Sequence, residues 1–299
     1  MDGILNINKP RGKTSFSIVS QLRRLSGERR VGHAGTLDPA ASGVLPICLG
    51  QGTRVIEFLL DAPKAYRAEI EFGVVTDTDD ATGGIISRGD PSGISRERLL
   101  SALNSFCGLI SQTPPMYSAV KHGGKPLYKL ARQGIEVERK SRLRRIYRLG
   151  LTRWQLPLAT IEVECERGTY IRALARDLGQ LLGCGAHLRN LLRLRCGPFA
   201  IEDAVSLSQL EDAFRCGYWQ KFIYPIDFVL SHWAAVVVSD GVEEDIRKGR
   251  PLVFAPGDGG QASSGERCRV YTRDGSFLAV LQFNSETGQW QPDKVFSGS

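Results

Sequence analysis

Hydrophobic and polar positions along the chain fall into short helical and extended patterns that alternate with each other. Apolar residues alternate over 3–8, Lys9-Pro10 breaks that run, and Thr14 or Ser15 is placed to cap a helix through Ile18, Val19, Leu22 and Leu25 that Gly27 ends. A glycine-rich stretch over 32–52 precedes a helical pattern at 53–60. Tyr66, Ala68, Ile70 and Phe72 then alternate with Arg67, Glu69 and Glu71, which predicts a half-buried strand over 66–75. The segment 77–93, rich in Asp, Thr, Gly and Ser, predicts a surface loop, and Ser95 caps a helix that is apolar at Leu99, Leu100, Leu103 and Phe106 and ends at Gly108. A Gly-Gly turn between Lys121 and Lys125 leads to a short helix at 127–133, closed by Gly134, and strands dominate 135–165.

The clearest helix covers 169–183, with Thr169 as candidate cap and Tyr170, Leu174, Leu178 and Leu181 on one face. Arg172 and Arg176 sit four apart, off that face. A second capped helix covers 206–215. After Trp233 the pattern changes to short strands at 235–238, 269–271 and 277–283, with a Gly, Ser, Ala and Asp loop at 256–265. This predicts two domains, 1–232 and a small all-β module over 233–299. No internal repeat is visible.

Composition narrows the class. The 299 residues are 42% hydrophobic and 24% charged, which suits a globular chain and excludes collagen-like, coiled-coil and disordered ones. No run approaches a membrane span, and the start, MDGILNINKP, lacks the basic and apolar regions of a secretory signal, so a cytoplasmic protein is expected. Seven scattered cysteines with no CxxC pair read as reduced core thiols, and four dispersed histidines form no local metal motif. The formal net charge is +7, and it is uneven: residues 1–239 carry +9 and residues 240–299 carry −2. Arg139, Lys140, Arg142, Arg144, Arg145 and Arg148 cluster within the basic part, as do Arg23, Arg24, Arg29 and Arg30. Charge alone leaves two readings open, a face for a polyanion or a solvated surface.

Two windows hold candidate chemistry. In 32–46, GHAGTLDPAASGVLP, glycines and prolines predict a rigid irregular loop whose ionisable groups are His33 and Asp38. Asp38 precedes Pro39, which keeps it out of the helical region, and on this ground alone it is a turn starter as readily as a catalytic carboxylate. Phosphate-loop motifs are absent there. In 167–179, RGTYIRALARDLG, Tyr170 and Arg172 stand in the first turn of a helix, where backbone N–H groups and a guanidinium would meet a ligand or an acid.

GHAGTLDPAASGVLP, the KAYRAEIEFG strand, TPPMYSAVKHGGKPLYKLARQGIEV and GTYIRALARDLGQLLGCGAHL occur in this order, after an opening ILNINKPRGKTS. Together they resemble the TruB family, the bacterial tRNA pseudouridine-55 synthases, over about residues 2–231. The tail resembles a small PUA-type RNA-binding domain through DIRKGRPL, VYTRDGSFLAV and Pro292. The resemblance implies an α+β fold: a mixed, largely antiparallel sheet with flanking helices, the pseudouridine synthase fold, plus a β-rich PUA-like domain. It implies isomerisation of a uridine in the TΨC stem-loop of tRNA, a redox-neutral reaction with no cofactor and no metal.

By the same resemblance, Asp38 is the catalytic carboxylate, Tyr66 stacks on the flipped uracil and takes part in removing the C5 proton, and Tyr170 and Arg172 orient Asp38 and keep it charged. His33 fills the space that the base leaves, and Leu191 walls the uracil pocket. Lys9, Lys121 and Arg193 bind RNA, with the 139–148 cluster as a further phosphate contact. The family often shows Leu-Arg-Arg after CGAHL, whereas Leu191-Leu192-Arg193 stands here, which puts one phosphate or structural contact in doubt. A monomer acting on bare tRNA is expected. The alternatives are an RNA-binding or tRNA-folding module, and the catalytic subunit of a guide-RNA ribonucleoprotein, against which the lack of long basic tails argues.

Overall fold

The computed structural model describes residues 1–254 and 262–296. A ten-stranded sheet runs in the order Ile223–Tyr224, Gly3–Lys9, Ser42–Leu49, Ala186–Cys196, Lys64–Phe72, Leu158–Cys165, Arg142–Gln155 and Gly108–Gln112. Val31–His33 pairs with Ser42–Leu49 and Phe199–Ala200 with Ala186–Cys196. One pairing in this sheet is parallel, with Leu192 opposite Ser42 and Arg193 opposite Gly43. The others are antiparallel, so the α+β class and the mixed, largely antiparallel sheet are as expected.

The alternation in the sequence shows why the sheet has one dry face. Ala68, Ile70 and Phe72 lie beside Ala159, Ile161, Val163 and Cys165, and all are buried under Leu174, Ala175 and Leu178 of the helix Ile171–Leu182. Burial of each large apolar side chain contributes roughly 1.5–3 kcal/mol. Glu69, Glu162 and Glu164 occupy the alternate positions and pair there with Arg189, Arg67 and Arg195. Helix and sheet meet closely at Gly179, where a Cβ would stand 2.2 Å from the Ala186 nitrogen.

Several local expectations change. Thr14 and Ser95 cap their helices, and Ser206 forms a full capping box with Gln209. Thr169 caps nothing, because its hydroxyl turns back to the Glu166 carbonyl and the helix starts at Ile171. The Gln112 side chain does that work from another strand, accepting the Tyr170 N–H at 2.8 Å and donating to the Tyr170 carbonyl at 3.0 Å. Leu181 is exposed and Arg172 is buried, the reverse of the helical pattern. The window 32–46 is only partly loop, since strands occupy Val31–His33 and Ser42–Leu49. Cys107 and Cys216 are exposed thiols, not core ones, while the other five cysteines are buried.

The tail forms a second sheet, Ala234–Val237, Arg267–Tyr271, Phe277–Asn284 and Gln289–Val295. It is β-rich but not all-β, because the helix Asp240–Arg247 packs Ile246 into its core. Residues 256–261 of the expected loop lie outside the described residues. Val280 of this sheet and Phe296 just after it share a core with Ile4, Val44 and Phe199 of the large one, and Phe58 meets Trp233 edge-on at 4.9 Å. Among the described residues no helix is long and apolar enough to cross a membrane.

Candidate active site

Residues 34–41 form the loop that carries Asp38 between two strands of the sheet. Four other side chains or backbone groups fix it. Arg193 Nη2 donates to the Gly35 carbonyl at 3.1 Å. The Ser15 hydroxyl accepts the Leu37 N–H at 2.9 Å and donates back to the Leu37 carbonyl at 3.1 Å. The Gly12 N–H and the Lys9 ammonium both reach the Pro39 carbonyl, at 2.7 and 3.5 Å. A carboxylate held this way needs little reorganisation to act, which is how a preorganised site lowers a barrier.

Asp38 meets Arg172 across the cleft, with Oδ2 and Nη2 3.0 Å apart. The Arg172 side chain is 7% exposed and that of Asp38 is 45% exposed, so the cation is fixed inside while the acid faces outward. Arg172 is satisfied on every side: Nη2 donates to the Tyr117 carbonyl at 2.8 Å, and Nη1 to the Thr78 carbonyl at 3.3 Å. Nη1 also lies 3.6 Å from Asp80 Oδ2. Asp80 is held in turn by the Thr78 hydroxyl at 2.8 Å and the Thr82 N–H at 2.9 Å. Its loop reads as solvated from composition, and the available signal was the run of acids at Asp77, Asp79 and Asp80. The cleft is lined by Arg11, Asp38, Asp80, Arg172 and Leu191, among others.

Tyr66 continues the row of Ala68 and Ile70 and packs, half-buried, against both cores that flank the cleft. Burial pushes its phenol up to about 12, an effect that the hydrogen-bonded Arg193 guanidinium opposes. Leu191 is half-buried in the same two clusters and lines the cleft, where a pocket wall is expected. His33 ends its strand opposite Ile47, and its Nδ1 is buried with no hydrogen-bond partner. Burial lowers its pKa, and nearby Arg193 adds to that, so the ring is neutral at pH 7. Tyr170 takes the N-cap position, half-buried and immediately before Arg172's turn.

Two residues expected to contact RNA are enclosed in the fold. Lys9 is 0% exposed, and its ammonium donates to the carbonyls of Pro10 at 2.9 Å and Lys13 at 2.7 Å. Arg193 is 1% exposed, with Nε on the Val44 carbonyl at 2.6 Å. Both cations donate to backbone carbonyls and brace the Asp38 loop. Lys121 is exposed, on a hairpin in which it pairs with Pro126 around Gly123 and Gly124. Within the basic cluster Arg142, Arg145 and Arg148 are exposed, whereas Arg144 is turned to the Gly168 carbonyl and Glu166.

Comparison with known families bears on this arrangement. Residues 23–171 match the TruB family pseudouridylate synthase N-terminal domain, and residues 172–231 match the tRNA pseudouridylate synthase B C-terminal domain. The chain belongs to the TruB family. A tRNA pseudouridine synthase B of Dehalococcoides mccartyi is 44% identical over 296 residues, 99% of this chain and 97% of that one. That of Geobacter sulfurreducens is 40% identical over 98% of this chain and 96% of its own. Among solved structures, the crystal structure of a Cbf5-Nop10-Gar1 complex matches with a TM-score of 0.76 at 27% identity, over 99% of this TruB-family chain and 85% of the other.

Proposed function

We propose that the protein isomerises the uridine at position 55 of tRNA, in the TΨC loop, to pseudouridine, with Asp38 as its catalytic carboxylate. The observation that carries this reading is the half-exposed Asp38 paired with the buried Arg172 at the cleft. Arg172 holds the Asp38 carboxylate in a charge-assisted pair that fixes its direction at the cleft. The N1–C1′ bond of the nucleotide breaks while positive charge grows on the sugar. Asp38 meets that charge by bonding to C1′, as a glycosidase carboxylate does, or removes the 2′ proton so that a glycal forms. The uracil rotates and C5 bonds to C1′, either as the Asp38–C1′ bond breaks or as Asp38 returns the proton to C2′ of the glycal; the C5 proton then leaves and N1 regains a proton. Atoms and electrons balance within the nucleotide, so no cofactor or metal enters any step.

The base must first leave its stack, at a cost of about a few kcal/mol. Tyr66 and Leu191 offer it a new face, and the neutral His33 ring, with its unpartnered Nδ1, suits the space left behind. Tyr66 starts as a neutral phenol, because burial holds its proton. It therefore serves as a stacking platform first, and accepts the C5 proton only while giving up its own. Tyr170 and Arg172 hold Asp38 in line.

Lys121, Arg142, Arg145 and Arg148 are exposed cations suited to phosphates. The relatives' name, tRNA pseudouridine synthase B, supports tRNA as the partner. The chain acts as a monomer on bare tRNA with no guide RNA, and the tail over 233–299 is a PUA-like RNA-binding domain. The test is Asp38→Asn on a minimal TΨC stem-loop. Product vanishes while binding stays within about threefold, because the substitution removes a charge without changing shape. Normal turnover by that variant overturns the assignment, and a wild type that binds but makes no product in a single turnover favours an RNA-binding module.

A further inference from the structure

Arg172 and Arg176 stand one turn apart on the helix Ile171–Leu182 and repeat a single bonding pattern. Each guanidinium takes an aspartate of the loop after Thr76 on one side: Arg172 takes Asp80 at 3.6 Å and Arg176 takes Asp79 at 2.9 Å. Each donates to a backbone carbonyl on the other, Arg172 to Tyr117 at 2.8 Å and Arg176 to Thr113 at 3.0 Å. The two arginines thus span the same two walls at two heights. Arg172 has Asp38 as its further partner, whereas the Arg176 Nε is taken by Asp177 at 2.9 Å. The Arg176 guanidinium is thus engaged by Asp79, Asp177 and the Thr113 carbonyl.

The loop wall needs such a hold. Asp79 has a φ of +61°, a left-handed conformation that costs a non-glycine residue of order 1 kcal/mol. Its carbonyl accepts the Leu188 N–H at 3.0 Å, and its carboxylate is fixed by Arg176. Asp80 is the next residue, so its direction follows from this turn. The bonds from Arg172 to that wall, 3.3 Å to Thr78 and 3.6 Å to Asp80, are too long to set it alone.

We infer that Arg176 is a positioning residue for the reaction: by tying Asp79 to the Thr113 carbonyl it fixes the gap that Arg172 spans, and with it the direction in which Arg172 meets Asp38. This rests on the reading of Asp38 as the catalytic carboxylate. The test uses the full chain with Arg176→Ala, Arg176→Lys, Asp79→Asn and, in parallel, Asp38→Asn. Single-turnover rates are measured at saturating enzyme well below each variant's melting temperature, with Kd for a tRNA transcript. Arg176→Ala loses about tenfold in rate with Kd within about twofold, because what is lost is alignment and not contact. Arg176→Lys, which keeps the charge facing Asp79 but lacks the fork, regains part of the rate. Asp79→Asn lowers the rate in the same direction, and decides the matter alone if Arg176→Ala does not fold.

A purely structural role lowers the melting temperature and leaves the single-turnover rate of the folded protein at the wild-type value. That result, or a loss confined to Kd, overturns the inference. Asp38→Asn separates the two claims. If it is inactive while the Arg176 and Asp79 variants run at the wild-type rate, only this inference falls. If Asp38→Asn itself turns over normally, the reading beneath it falls as well.

Discussion

Arg193 lies opposite Tyr66 on the neighbouring antiparallel strand and hydrogen-bonds to its phenol, while the same guanidinium holds the Gly35 carbonyl of the Asp38 loop. One buried cation therefore sets two elements of the site relative to each other: the aromatic face and the loop that bears the acid. A lysine at this position keeps the charge but has no fork to serve Val44, Gly35 and Tyr66 together.

Arg193→Lys is expected to lower stability by about 1–3 kcal/mol, the cost of leaving a buried carbonyl unpaired. Urea or thermal denaturation measures it. The turnover rate falls with it, since the loop and the aromatic face lose their common brace. A variant of wild-type stability and rate rules out the bracing role.

Lys9 gives a prediction in pH. Burial pulls its ammonium from 10.5 down to about 8, with Asp38 opposing the shift. Between these values the unfolded chain holds a proton that the folded chain has released, so stability from this group rises as pH climbs from about 8 to 10.5. Other groups titrate in the same window, notably Tyr66, whose raised pKa has the opposite sign above 10. The difference in melting temperature between wild type and Lys9→Met isolates the lysine. It should grow in favour of wild type across that window, and a constant difference contradicts the buried ammonium.

Gly43 supplies a backbone test. Its φ is +104°, and a Cβ there would stand 2.3 Å from the Arg193 carbonyl, at the parallel crossing of two strands. Gly43→Ala meets both a strained φ and a backbone atom that has no room to yield. The expected loss is about 2 kcal/mol or more, read from chemical denaturation, with activity falling because the Asp38 loop joins this strand.

The pattern of residues made much of this legible. Alternation in 66–72 and the capping residues Thr14, Ser95 and Ser206 are local, and they produced the strand and helices they suggest. The Asp38 and Arg172 motifs likewise marked two groups that the fold brings to 3.0 Å. The burial of Lys9 and Arg193 was not legible, because their partners are carbonyls that only the folded loop presents. Asp80 was hidden for the related reason that its cation lies on a distant helix. The helix Asp240–Arg247 escaped notice because Val242 and Ile246 form a single apolar pair, too short to show a period.

The same burial divides the basic residues into two kinds, and salt separates them. Each cation that displaces counterions from a phosphate adds about −0.7 to −0.9 to the slope of log K against log salt. Lys121 and Arg145 are exposed. Replacing either by Ala should therefore weaken tRNA binding and reduce the magnitude of the slope by nearly one unit. Lys9→Met and Arg193→Lys remove or move charge that lies buried among backbone carbonyls. Their slopes should equal that of wild type even where their rates fall. A reduced slope for Lys9→Met would mean that the ammonium leaves its three carbonyls when RNA arrives. Unchanged slopes for both surface variants would move the RNA-binding face away from the hairpin and the strand Arg142–Gln155.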